Sequence, residues 1–160
     1  MAANETRFGL STKEITSSTN NLTIILGSEM VFYVKMRNYH WNISGNSFIE
    51  LHRLIEEQYK KVEFLIDEIA ERISKLGGKA IGSMQEFLKN SVLEESKATT
   101  VGQKEMLEDL WNDHNTMAKK LREFIETLDE ETKDLVTVDF LTSVLESHES
   151  MGWMLKKYLS

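Results

Sequence analysis

Five side chains carry the chemistry this sequence can support: His40, His52, Glu56, Asp67 and Glu71. On a helix, Glu56 follows His52 by one turn and Glu71 follows Asp67 by one turn, so each pair projects from one face. At about 100° per residue the four fall within roughly 100° of arc, a polar stripe beside an apolar one. If the chain reverses near residue 46, His40 lies six residues before the turn and His52 six after it, side by side in an antiparallel hairpin. Imidazole and carboxylate together suit iron, and also zinc or manganese. The same spacing suits an ordinary solvated helix face, and a His near a helix C-terminus favours the dipole.

Axial spacing restricts where a metal could sit. His52 and Asp67 are 15 residues apart, roughly 22 Å along a helix, so one ion cannot touch both. Each half alone is poor, two imidazoles with one acid at one end and two carboxylates at the other. Pairing two such helices antiparallel about a twofold axis sets the acids of one chain against the histidines of the other and completes two sites. The bundle-core alternative, Glu-x-x-His on two helices, is absent. The residues three before His40, His52, His114 and His148 are Arg37, Ile49, Trp111 and Leu145. Any such chemistry belongs at an interface, and His114 and His148 remain unassigned.

The elements that must position these residues are helices. Helix-period apolar spacing occurs four times. The first stripe runs from Leu22 to about Trp41, starting near Ser11 or Ser18. The second runs from Leu51 to Leu76 and stops at Gly77-Gly78, with Ser47 and Glu50 resembling a capping box. The third spans Leu107 to Leu128 and the fourth Val138 to Tyr158. Residues 77–102 are long enough to return along the bundle, with a short amphipathic helix over Ser83 to Asn90. The fold expected is all-α: a ferritin-like four-helix bundle with one long crossover between helices two and three. It occupies residues 1–160 as one domain with an N-terminal tail of about 1–12.

Composition agrees. The chain has no Pro where about 8 would be usual, which favours uninterrupted helices, and no Cys, which excludes thiolate nucleophiles, disulfides and iron–sulfur ligation. No apolar run approaches the roughly 20 residues of a membrane span. Met1 to Lys13 lack the features of a secretory signal, so a cytoplasmic location is expected.

Asn38-Tyr39-His40-Trp41-Asn42, Phe48-Ile49-Glu50-Leu51-His52 and Ile66-Asp67-Glu68-Ile69-Ala70-Glu71-Arg72-Ile73, followed by Leu76-Gly77-Gly78, closely resemble the Dps family. These are the miniferritins, named as DNA-binding proteins from starved cells. The likeness covers nearly the whole chain, including the short helix at Met84 to Leu88 and Trp153. It implies a homododecameric shell of tetrahedral symmetry that oxidises ferrous iron, preferentially with hydrogen peroxide, at centres between twofold-related subunits. Ferric mineral is then stored inside. By matching position, His40 and His52 come from one chain and Asp67 and Glu71 from its partner, with Glu56 on the His52 side. The family usually has Asp at that last position, one methylene shorter. Trp41 would sit beside the centre as an oxidisable ring, or serve as an apolar anchor at the helix end.

Charge is uneven. Between Glu123 and Asp139 seven acids face one base, Lys133, a net of -6 within a chain of net -7. Such a run is ordinarily a solvated junction. The resemblance implies instead that this junction lines pores at the threefold axes, with Asp129, Asp134 and Asp139 as candidates for drawing cations inward. Family members that bind DNA do so through basic tails. The first twenty residues here hold Arg7 and Lys13 against Glu5 and Glu14, and the far end offers only Lys156 and Lys157. DNA binding is therefore not expected, and retarded DNA in a gel shift at moderate salt would contradict that. The competing reading from another class is a shell acting in nucleoid or surface contacts with little ferroxidase activity. A plain helical module with a solvated polar stripe is the third reading.

Overall fold

Five helices follow one another in the computed structural model, which describes residues 7–96 and 102–160. They are α1 (Thr12–Asn42), α2 (Phe48–Lys75), α3 (Met84–Asn90), α4 (Gln103–Glu131) and α5 (Leu135–Tyr158). The first part of the expected tail and residues 97–101 of the crossover lie outside the described residues. Short links make α1/α2 and α4/α5 antiparallel hairpins, and α3 rides on the crossover against α1. This is the ferritin-like four-helix bundle.

The α2 stripe does what its period dictates, burying Leu51, Ile55, Tyr59, Val62, Leu65, Ile69 and Ile73 along one face. Helix α1 is less cleanly patterned because α2, α3 and α4 all pack on it, and Ser18, Glu29, Lys35 and His40 are buried with its apolar residues. Leu22, Ile25, Phe32, Leu110, Met117, Leu121, Leu141 and Leu155 close the core between the hairpins.

Helix ends explain the boundaries. Ser11 and Ser83 form capping boxes with Glu14 and Glu86, satisfying otherwise orphaned N–H groups. Ser11, not Ser18, therefore opens α1. The capping box expected at Ser47 and Glu50 does not form. Ser47 is in the left-handed region (φ 59°), and its side chain makes no capping hydrogen bond. At the other end of α2 the chain turns through Gly77, whose φ of +89° suits glycine.

Candidate metal centre

His40 and His52 are brought together as the hairpin count requires. Their rings stack with centroids 3.8 Å apart and planes inclined by 21°. The contact is reciprocal. His40 Nδ1 lies 2.9 Å from the His52 carbonyl oxygen, and His52 Nδ1 lies 2.9 Å from the His40 carbonyl oxygen. A carbonyl only accepts, so each Nδ1 carries the proton and each Nε2 keeps its lone pair. The His40 carbonyl is one of those that a helix leaves orphaned in its last turn, which is why a side-chain N–H finds it. Backbone fixation of one ring nitrogen is what orients a metal-binding His and raises its basicity. Tyr59 meets the His40 ring edge-on at 5.2 Å, and Phe48 lies 5.2 Å from the His52 ring. The pair is thus walled on its inner side.

Glu56 stands one turn beyond His52 with Oε1 2.5 Å from Lys60 Nζ. The Lys60 hydrogen bond and charge hold its carboxyl below the usual carboxylate range, with smaller help from His40 and His52. Asp67 and Glu71 are exposed at the far end of the same stripe. Glu71 accepts from Lys75 at 2.9 Å, and Asp67 borders a groove of about 610 Å³ with Met30, Tyr33, Lys60 and Phe64. Within one protomer, no three His, Asp or Glu side chains among the described residues converge enough to hold a metal ion. The structure brings His40 and His52 together, sets Glu56 one turn further along α2 on Lys60, and leaves Asp67 and Glu71 apart from them. Phe64 is 63% exposed beside these acids, an apolar ring on a polar stripe.

Residues 19–160 match the family described as a ferritin-like domain. A DNA protection during starvation protein of Bacillus anthracis is 33% identical over 130 residues, which span 81% of this chain and 88% of that one. A Vibrio cholerae Dps structure, described as a member of a broad superfamily of ferritin-like diiron-carboxylate proteins, superposes with a TM-score of 0.92 at 31% identity. The match covers 100% of this chain and 99% of that one. The chain belongs to the Dps family. A low temperature-induced protein of Nostoc is 36% identical over 151 residues, which span 94% of this chain and 84% of that one.

The acids suggested for the pore separate into two kinds in this Dps chain. Asp129 and Asp139 are exposed, with exposed Leu135 and Val136 between them in sequence. Asp134 is not available to line a channel, because its side chain is 1% exposed and fully engaged. It caps α5, accepting from the Thr137 N–H and hydroxyl and from the Ser18 hydroxyl, and pairs with Arg72 at 2.6 Å. The reason is positional: helix N-termini select a short carboxylate, and this one also faces an Arg from α2. Trp41, next to His40 in sequence, is 66% exposed, with the Arg37 guanidinium 5.3 Å from its ring centroid.

His114 and His148 are neither surface nor isolated. They meet inside the bundle with Glu29, a residue outside the chemistry expected from sequence. The signal was present. Glu29 falls one turn after Ile25 and Leu26 and one before Phe32, a charged residue on an apolar stripe.

Proposed function

We propose that this Dps chain is a ferroxidase and iron store. The reciprocal His40/His52 clamp carries the reading, because it holds two imidazole lone pairs side by side at the end of a carboxylate stripe. Dps membership supports iron storage and stress protection in general, and the diiron-carboxylate description of the Vibrio relative supports iron as the substrate. The partner chain of a twofold pair supplies what one protomer lacks. Its Asp67 and Glu71 meet His40, His52 and Glu56 of the first chain, and the shell is a homododecamer. Asp67 and His40 are terminal ligands of the tighter position, His52 and Glu56 hold the weaker, and Glu71 is shared. Lys60 and Lys75 occupy Glu56 and Glu71 in the lone protomer. Exposed ion pairs of this kind are worth roughly 0–1 kcal/mol, so an incoming cation displaces them at little cost. Zinc or manganese fits the same nitrogen and oxygen donors.

The chemistry follows from pairing. Hydrogen peroxide takes one electron from each of two ferrous ions and two protons, its O–O bond breaks, and two water molecules leave. A lone ferrous ion supplies one electron and releases hydroxyl radical. Holding iron in pairs is therefore protective as well as a step towards storage in ferric form. A cytoplasmic location fits a chain without Cys in which no helix of the described residues is long and apolar enough to cross a membrane. DNA binding is not part of this function, given the balanced charge of the first twenty residues.

Anaerobic ferrous titration followed by separate additions of oxidant tests the reading. The iron-loaded shell is expected to oxidise its iron faster with hydrogen peroxide than with oxygen, without detectable hydroxyl radical. Slower oxidation by peroxide, or radical yields equal to those of free iron, contradict it. Iron reaches the centres past Asp129 and Asp139. Replacing both with Asn is expected to slow uptake about tenfold, the lower end of electrostatic focusing, with assembly by light scattering unchanged. Uptake at the wild-type rate removes them from the route.

A further inference from the structure

Two charged side chains in the middle of the α2 stripe are not ligands of the proposed centre. At about 100° per residue, Lys60 and Glu63 stand roughly 80° and 20° around the helix from His52. They lie inside the arc that holds the four α2 ligands, between Glu56 and Asp67 in sequence. Lys60 Nζ is 2.5 Å from Glu56 Oε1, in an ion pair whose side chains are 61% and 34% exposed. Glu63 has no ion pair among the described residues, and its Oε1 accepts a long hydrogen bond of 3.3 Å from the Tyr33 hydroxyl. Helix direction explains the choice: a Glu four residues before a Lys pairs better than an acid that follows it. An uncompensated carboxylate and a lysine resting on a ligand of the proposed centre thus line one groove of about 610 Å³, with Phe64 63% exposed beside them.

The register of the proposed twofold pair carries these two residues to each other. Where His52 is level with the partner's Glu71, Glu56 one turn on is level with the partner's Asp67 one turn back. A further turn along each helix sets Lys60 level with the partner's Glu63, and by symmetry Glu63 level with the partner's Lys60. Both residues lie within roughly 2 Å, along the helix, of the point where the axis crosses. A crossing angle between the two helices separates residues least there. Lysine is longer than any ligand of the centre, so it spans to a glutamate the gap that imidazole, ion and carboxylate fill. A contact at this place also covers Phe64, and excluding water strengthens an ion pair over its exposed counterpart.

Resting on the shared centre proposed above, we infer that Lys60 is an exchangeable counter-ion: it leaves Glu56 for the partner subunit's Glu63 when the twofold pair forms, so that assembly releases Glu56 to the metal. Two symmetric ion pairs then flank the axis. The lone protomer is locked, because a ligand oxygen of its weaker metal position is taken and an ammonium stands beside it. Linkage makes the coupling reciprocal, so a metal that draws Glu56 away from Lys60 tightens the twofold contact by the same factor. A Lys60 that stayed on Glu56 would oppose the incoming cation and leave two Glu63 carboxylates beside the axis with no compensating charge.

Two charge-reversed chains test the contact without iron. Lys60→Glu puts acids at both positions of one chain, and Glu63→Lys puts bases at both positions of the other. Both positions are exposed in the protomer, so the reversed chains keep its fold. Each chain alone is expected to assemble at least about tenfold less tightly than wild type, by light scattering on dilution, since like charges then meet twice in every twofold pair. Expressed together they repair each other, because within either chain the two positions have one sign and only the other chain offers the opposite one. Native mass spectrometry should find equal numbers of the two chains in every shell, where random pairing gives a broad spread of compositions. A random spread, or wild-type assembly of either chain alone, overturns the inference. Release of Glu56 is read by anaerobic calorimetric titration with ferrous iron. Glu63→Gln is expected to weaken the second of the two ferrous binding steps about tenfold by leaving Lys60 on Glu56, and adding Lys60→Met to recover at least the wild-type affinity. A wild-type second step in Glu63→Gln, or no recovery in the double variant, overturns the release. Failure of the ferroxidase reading shows instead in the wild-type shell, as absence of paired ferrous binding; it removes the release as well, while the mass spectra still report whether Lys60 meets the partner's Glu63.

Discussion

Replacing Asp67 and Glu71 together with Ala is expected to lower the initial rate of peroxide-driven ferrous oxidation at least about 100-fold, since even partners behind the ligands of a metal centre are commonly worth 10–100-fold. Both side chains are exposed in the protomer, and surface substitutions away from buried networks usually change stability by only about 0.5 kcal/mol. The fold of each protomer should therefore keep its helicity, and light scattering on the assembled variant shows that a lost rate reports on ligands and not on assembly. The acids are cleaner targets than His40, which is 8% exposed and packs against Tyr59. Stopped-flow absorbance at stoichiometric iron measures the effect. Unchanged rates in the double variant would sink the assignment of these carboxylates.

The second large effect is on stability. Asp134 joins three helices at one end of the bundle: Ser18 of α1, Arg72 of α2 and Thr137 of α5 all donate to it, and Arg72 Nε also donates to Thr137 Oγ1 at 2.9 Å. Asp134→Ala leaves a guanidinium that is only 16% exposed without its partner. Breaking such a pair costs about 3–5 kcal/mol, which in a chain of this size lowers the melting temperature by on the order of 10 °C. A melting temperature within a degree or two of wild type contradicts the clasp. Its pH dependence follows from the direction of the shift. Burial alone would raise the Asp134 carboxyl, but the Thr137 and Ser18 hydrogen bonds and the Arg72 charge outweigh it and hold the carboxyl below its ordinary value. The clasp is therefore complete above the unfolded pKa of about 3.9 and is lost as pH falls through the lower folded value. Wild type should become acid-labile only below about pH 4, whereas Asp134→Ala starts destabilised at neutral pH.

What was legible in the sequence was periodic or local. The α2 stripe from Leu51 to Leu76 announces its helix and buried face, and the count from His40 to His52 about a turn near residue 46 announces their contact. The polar positions 52, 56, 67 and 71 could be placed on one face by rotation alone. Tertiary neighbours were not legible. Asp134 reads as one acid in an acidic run until Arg72, 62 residues away, and Ser18, 116 residues away, turn it inward, although Asp134-x-x-Thr137 is itself a helix-start pattern. Ser47 looked like a cap, but the tight α1–α2 link places it in the left-handed region instead. Glu29, His114 and His148 lie on three helices, and no spacing within one helix reveals that their partners are one another.

In the proposed centre, neither half works within its own chain. Co-assembly of two inactive variants tests it most directly: His40→Ala with His52→Ala in one chain, Asp67→Ala with Glu71→Ala in the other. A mixed twofold pair has one site built from both damaged halves and one built from both intact halves. Equal random mixing should therefore restore peroxide-driven ferrous oxidation to about a quarter of the wild-type rate, while each variant assembled alone stays inactive. A mixed shell as inactive as its parents would contradict a shared site.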